Sequence, residues 1–172
     1  MHDNRAMKLL LAEHGVDPEM IDPADDYPIW QKQDLIGRPY WGVLHFWNLN
    51  QASIDAGRDL ALLEWAGNEV NLDANTPAEI PEILRKAIGV MKAWKDTLQQ
   101  AYEETPFILF ASCDDGAELV HAEDHPDGFF SVTLRFWAPR NSKPVLDFEA
   151  FDDWAQPAIL EFCNMPDALP FE

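Results

Sequence analysis

Residues 113–128 read CDDGAELVHAEDHPDG, which puts one thiol, two imidazoles and six carboxylates within sixteen positions. Imidazoles and carboxylates are the usual ligands of zinc and non-haem iron, so His121, Glu123 and His125 raise the question of a metal first. In an extended segment the three share a face, but at roughly 3.3 Å per residue the two imidazoles stand about 13 Å apart. One ion bound at about 2 Å does not bridge that gap. A helix capped by Asp115 and stopped by Pro126 would instead bring His121 and His125 together at i, i+4 spacing. That pattern resembles part of H-E-x-x-H, with the glutamate in the wrong place. The expectation is therefore no metal and no cofactor, with His121 and His125 as the minority ligand pair.

Acid–base catalysis requires two carboxylates held in different environments. The adjacent pairs Asp25/Asp26, Asp114/Asp115 and Asp152/Asp153 point their side chains apart on an extended backbone. No glycine-rich phosphate loop, no G-x-S-x-G elbow and no Cys/His framework is present. Cys113 precedes Asp114 and Asp115, whose charges raise a thiol pKa and so oppose nucleophilic use. These residues leave no signature of an enzyme.

Binding is the chemistry that the composition does favour. The 31 acidic and 12 basic residues give a net charge of −19 over 172 residues, a field that repels nucleic-acid backbones and anionic lipid and attracts basic proteins. Residues 107–172 hold thirteen acids against three bases, more self-repulsion than solubility requires. The carboxylates expected to meet a partner are Asp114, Asp115, Glu118, Glu123, Asp124, Asp127, Asp147, Glu149, Asp152 and Asp153. Of the seven tryptophans, five read as core. Trp137 shares the parity of Ser131, Thr133 and Arg135, away from the apolar face of its strand, and Trp154 follows FDD. An aromatic side chain ringed by acids has the composition of an interface anchor, so Trp137 and Trp154 join the expected partner surface.

The elements that must position these residues are legible from periodicity. RAMKLLLAEH at 5–14 is a short helix closed by Gly15, and DPEMIDPADDYPIW is an irregular arm. YWGVLHFWNL reads as a strand buried on both faces. Residues 53–73 fit a helix ending at Gly67, or two strands LALLEWA and EVNLD joined by Gly67-Asn68; the hairpin is preferred, with Val70 and Leu72 inward. Residues 80–104 carry apolar side chains at spacings of three and four, the stripe of one long amphipathic helix. Thr76-Pro77-Ala78-Glu79 resembles a capping box, although Pro81 moves the regular helix to a start at about its own position, after a separate turn. FILFAS is a central-strand candidate, FFSVTLRFW alternates with Phe130, Val132, Leu134 and Phe136 on one face, and VLDFEAF and PAILEFC add two further strands.

The expected fold is one α+β domain over 1–172: a mostly antiparallel sheet packed on the long helix, with a short N-terminal helix and an arm within residues 1–40. Cys113 and Cys163 form no C-x-x-C pair and read as reduced thiols of a cytoplasmic protein. No signal-peptide pattern and no apolar stretch of membrane-spanning length occurs. The function expected from size, charge and absent catalytic motifs is a bacterial immunity protein. Such a protein neutralises a cognate toxin by covering its basic active-site surface. The alternatives are a DNA-mimicking antirestriction protein and a small enzyme or ligand binder with an aromatic pocket. YWGVLHFW, followed by the Gly67-Asn68 turn, resembles a stretch of one antirestriction family, whose later elements are absent.

Overall fold

The computed structural model describes residues 1–24, 65, 68–101, 103–114, 130–139 and 150–164. Among the described residues, five antiparallel strands form one sheet in the order β1-β5-β3-β4-β2, with β1 at His2–Asp3, β2 at Glu69–Ala74, β3 at Phe107–Asp114, β4 at Phe130–Trp137 and β5 at Ala158–Cys163. The long helix α2, Ile80–Ala101, and the short helix α1, Arg5–Glu13, pack against one face of it. This is the α+β plan expected from the sequence.

The helix ends follow local chemistry. The side chain of Asn4 caps α1 by accepting from the Met7 N–H at 2.8 Å. Gly15 takes φ 60° just past the end of α1, the left-handed conformation that glycine adopts without a Cβ penalty. Before α2 a separate 3-10 turn spans Pro77–Glu79, as Pro81 requires. The expected cap differs in detail. Thr76 makes no side-chain cap bond; Glu79 instead accepts from the Asn75 N–H at 2.9 Å.

The strand FILFAS is the centre of the sheet, paired with β4 on one side and β5 on the other. Its residues are buried on both parities from Phe107 to Cys113. On the helix side Leu109, Val132, Leu134 and Phe136 meet Leu84, Ile88, Met91 and Trp94 of α2, and the Trp94 indole stands edge-on to Phe136 at 5.5 Å. A second, smaller core covers the opposite face, where Ile108, Phe110, Trp137, Phe151, Ala158 and Leu160 come together.

Two sequence expectations are corrected. EVNLD is a strand with Val70 and Leu72 buried, but its partner is β4, in the register Glu69↔Arg135 and Asn71↔Thr133. Trp65, assigned above to the other arm of a hairpin, is helical. The reason lies in the facing side chains. Arg135 donates to Glu69 through Nε at 3.0 Å, and the Thr133 hydroxyl donates to Asn71 at 2.7 Å, cross-strand pairs of the kind that fix register. The second correction concerns Trp137, which is 2% exposed and is therefore no free anchor. It does lie on the parity of Thr133 and Arg135, but that face of the sheet has its own apolar cover. The strand reading of YWGVLHFWNL, that of VLDFEAF as far as residue 149, and the helix-or-strand question at 117–125 lie outside the described residues; the last two residues of VLDFEAF are not strand, since Ala150 caps and Phe151 opens a 3-10 turn.

Candidate functional site

Of the expected partner surface, Asp114, Asp152, Asp153, Trp137 and Trp154 fall within the described residues. Asp115, Glu118, His121, Glu123, Asp124, His125, Asp127, Asp147 and Glu149 lie outside them. Asp114 is exposed at the end of β3, opposite Ser131 of β4. Asp152 and Asp153 are exposed on a 3-10 turn, Phe151–Asp153, whose Phe151 is the buried member.

That turn is built by its aromatic residues. Phe151 enters the second core, and Trp154 follows half-buried, edge-on to Phe151 at 5.2 Å and to Phe110 of β3 at 6.2 Å. Such edge-to-face contacts hold a ring in one orientation. The consequence is a fixed, partly exposed indole with two exposed carboxylates immediately before it in sequence. His2 of β1 borders the turn: its ring lies 5.5 Å from that of Phe151, and Nε2 is 3.5 Å from the Asp152 carboxylate. Of the two expected aromatic anchors, Trp154 keeps an accessible edge and Trp137 does not.

The interior of the second layer explains why Trp137 is withdrawn. Its indole meets Trp65 edge-on at 4.9 Å, and Trp65 in turn stacks at a tilt on Phe110 at 5.2 Å. The Arg135 guanidinium lies 4.5 Å from the centre of the Trp65 ring while binding Glu69, so one cation serves an ion pair and a cation–π contact together. Burial alone would raise the Glu69 carboxyl, but hydrogen bonds from Arg135 and Asn71 hold it below its ordinary value.

Nucleophilic chemistry finds no support in the thiols. Cys113 and Cys163 are both free and buried. Burial pushes the Cys113 thiol up to about 12 and the Cys163 thiol up to about 11. The direction is the one expected for Cys113, and its cause is desolvation by burial. Among the described residues no group of three or more His, Cys, Asp or Glu side chains is placed to hold a metal ion, and no helix is long and apolar enough to cross a membrane.

One arrangement had no counterpart in the sequence reading. Glu161, on the helix-facing side of β5, is 5% exposed, yet its carboxylate carries charge partners: the Lys95 ammonium on Oε1 and the amino group of Met1 on Oε2. A cleft of about 180 Å³ opens beside it, between the arm, α2 and β5. The only local signal was a single acid inside the apolar run AILEFC.

Comparison of the chain with protein-family models, with curated proteins and with solved structures gives no match in any of the three.

Proposed function

We propose that this protein binds a basic protein and inhibits it by covering the cationic surface that the partner uses on its own substrate, as an immunity protein does to a toxin. The observation that supports this reading most directly is the turn at 151–154. There a half-buried, rigidly packed Trp154 stands beside the exposed Asp152 and Asp153, in a chain of net charge −19. An ordered aromatic ring supplies contact area at little entropic cost, and the carboxylates steer a cationic surface toward it and pair with its Lys or Arg side chains. Asp114 extends the same chemistry to the end of β3, and the acids within 115–149 belong to the proposed surface by charge alone.

The test is association with the product of the neighbouring gene, followed by stopped flow across a salt series. The association rate should fall steeply as salt rises. Asp152→Asn with Asp153→Asn should slow association, and Trp154→Ala should speed dissociation by about ten-fold or more. Tight binding that ignores both salt and these substitutions would remove the reading. Binding only to DNA-handling enzymes, in competition with DNA, would move it to the DNA-mimic class.

A further inference from the structure

We propose, resting on the partner surface assigned above, that His2 is a proton-operated control of that surface, and that its protonation closes the surface to a basic partner. The imidazole is held in place by the backbone around it. His2 pairs with Leu160 of β5. Two residues on, the buried Asn4 accepts the Ala158 N–H on its Oδ1 at 3.1 Å, donates through Nδ2 to the Gln156 carbonyl at 2.8 Å, and donates its own N–H to the Ala158 carbonyl at 3.1 Å. The segment leading out of the turn at 151–154 is thus tied to the strand that carries His2. The ring itself lies 5.5 Å from that of Phe151, the buried member of the turn. Nε2 therefore faces the Asp152 carboxylate across 3.5 Å.

That distance makes the contact conditional. At 3.5 Å a neutral imidazole forms no hydrogen bond of ordinary length, so the exposed Asp152 is left to a partner. Imidazole is the side chain that changes charge between about pH 5 and 8. Once protonated, it sets a full positive charge against one of the two carboxylates that precede Trp154, pairs with it and repels an approaching Lys or Arg. The other charges of β1 and its neighbours are engaged on the far side. Successive strand positions face opposite sides of a sheet: Leu160, opposite His2, belongs to the second core, and Ile159, opposite Asp3, to the helix-side core. Asp3 feels the charge of His2 but is met by Lys8 of α1, and Glu161 is paired with Lys95 and the amino group of Met1. Among the described residues, Asp153 and Arg5, which opens α1 where that helix packs on β1 and the turn, are the exposed charges that complete this side.

The probe is Nα-acetyl-hexaarginine amide, whose guanidinium groups stay charged throughout. It is titrated at about pH 7.5 and about pH 5.5, on either side of the imidazole transition, at constant ionic strength, while the Trp154 indole N–H resonance is followed. A saturable shift is expected at the higher pH, with affinity about three-fold weaker at the lower, the scale of one exposed ion pair. The ratio between the two pH values should fall toward one in His2→Gln. His2→Lys, a cation at both, should bind at the higher pH as weakly as the parent chain does at the lower. Asp152→Asn should weaken binding at the higher pH and abolish the ratio as well. Equal parent affinities at the two pH values, or a parent ratio that His2→Gln leaves unchanged, overturns the control and keeps the partner surface. Absence of any Trp154 shift in the parent chain at the higher pH overturns both.

Discussion

Asp3 shows how a single buried oxygen sets a pH dependence. Burial raises its carboxyl above the ordinary 3.8, against the lowering influence of Lys8, the amino terminus and His2, and Glu161 pushes it in the same upward direction. Its Oδ1 is buried without a hydrogen bond. A carboxyl whose folded pKa is raised contributes stability that is fully present below its unfolded value and is lost as pH rises through the folded value. At neutral pH the native state therefore holds an ill-satisfied charge at β1. Asp3→Asn should raise the urea midpoint at pH 7 and remove the dependence that begins above pH 3.8, with little change below it; a lower midpoint at pH 7 would contradict this account. Trp137 makes the complementary case for an apolar side chain. At 2% exposure between Trp65 and the second core, Trp137→Ala should cost ~3–5 kcal/mol by chemical denaturation, the range for a large aromatic removed from a core. A surface anchor would lose almost nothing in stability.

At the scale of elements, the arm over α2 depends on two features of the helix. Ala24 N–H donates to the Gly89 carbonyl at 2.9 Å, and a Cβ at Gly89 would sit 3.2 Å from the Asp22 carbonyl oxygen. The close approach is therefore tighter than an ordinary Cβ contact, and any side chain here pushes the arm outward. One turn on, Lys92 gathers the carbonyls of Pro18 and Ile21. Lys92→Met keeps the aliphatic stem and removes these bonds, so it should cost about 1.5 kcal/mol, the lower end for hydrogen bonds to a charged group. Gly89→Leu should lift the arm altogether. Both variants should speed proteolytic cleavage within residues 16–24 while α2 and the sheet keep their hydrogen-exchange protection; cleavage unchanged in both would mean that Val16, Ile21 and Ala24 hold the arm by packing alone.

Legibility divides along the same line. Elements whose apolar period is unbroken could be read directly: α2 from its spacing of three and four, β4 from Phe130, Val132, Leu134 and Phe136, and β5 from its apolar run. Trp137 was placed on the right face and given the wrong environment, because alternation tells two faces apart and does not say whether the second is wet. The signal that it is dry was in β3, where FILFAS is apolar on both parities, as a strand covered on both sides must be. The partner of β2 was misread because Gly67-Asn68 is a strong local turn signal. The pairing was decided instead by contacts of Glu69 and Asn71 with residues more than sixty positions away. Lys92, Lys95 and Glu161 were not recognisable as a group, since a lysine bordering an amphipathic stripe and one acid in a strand are each unremarkable until the helix is laid on the sheet.

For the whole molecule the net charge of −19 acts on folding and on binding with opposite signs, and this gives a test that neither measurement supplies alone. Like charges on a compact chain repel, and unfolding lets them separate, so screening should stabilise the free protein. Raising NaCl from about 20 to about 200 mM shortens the screening length from roughly 20 Å to about 7 Å, so the midpoint of thermal unfolding at pH 7 should rise over that interval. The same salt should weaken attraction to a basic partner and slow association. The Glu69–Arg135 pair works against the first trend, but it is a partly exposed single pair of modest worth, outweighed by the excess of acids. Melting by differential scanning fluorimetry and association by stopped flow, on the same salt series, should move in opposite directions. If both fall with salt, attractive ion pairs dominate the fold and the acidic surface is not held at a cost to stability. If both are flat, the carboxylates are too dispersed to act as one field, and the occlusion mechanism loses its physical basis.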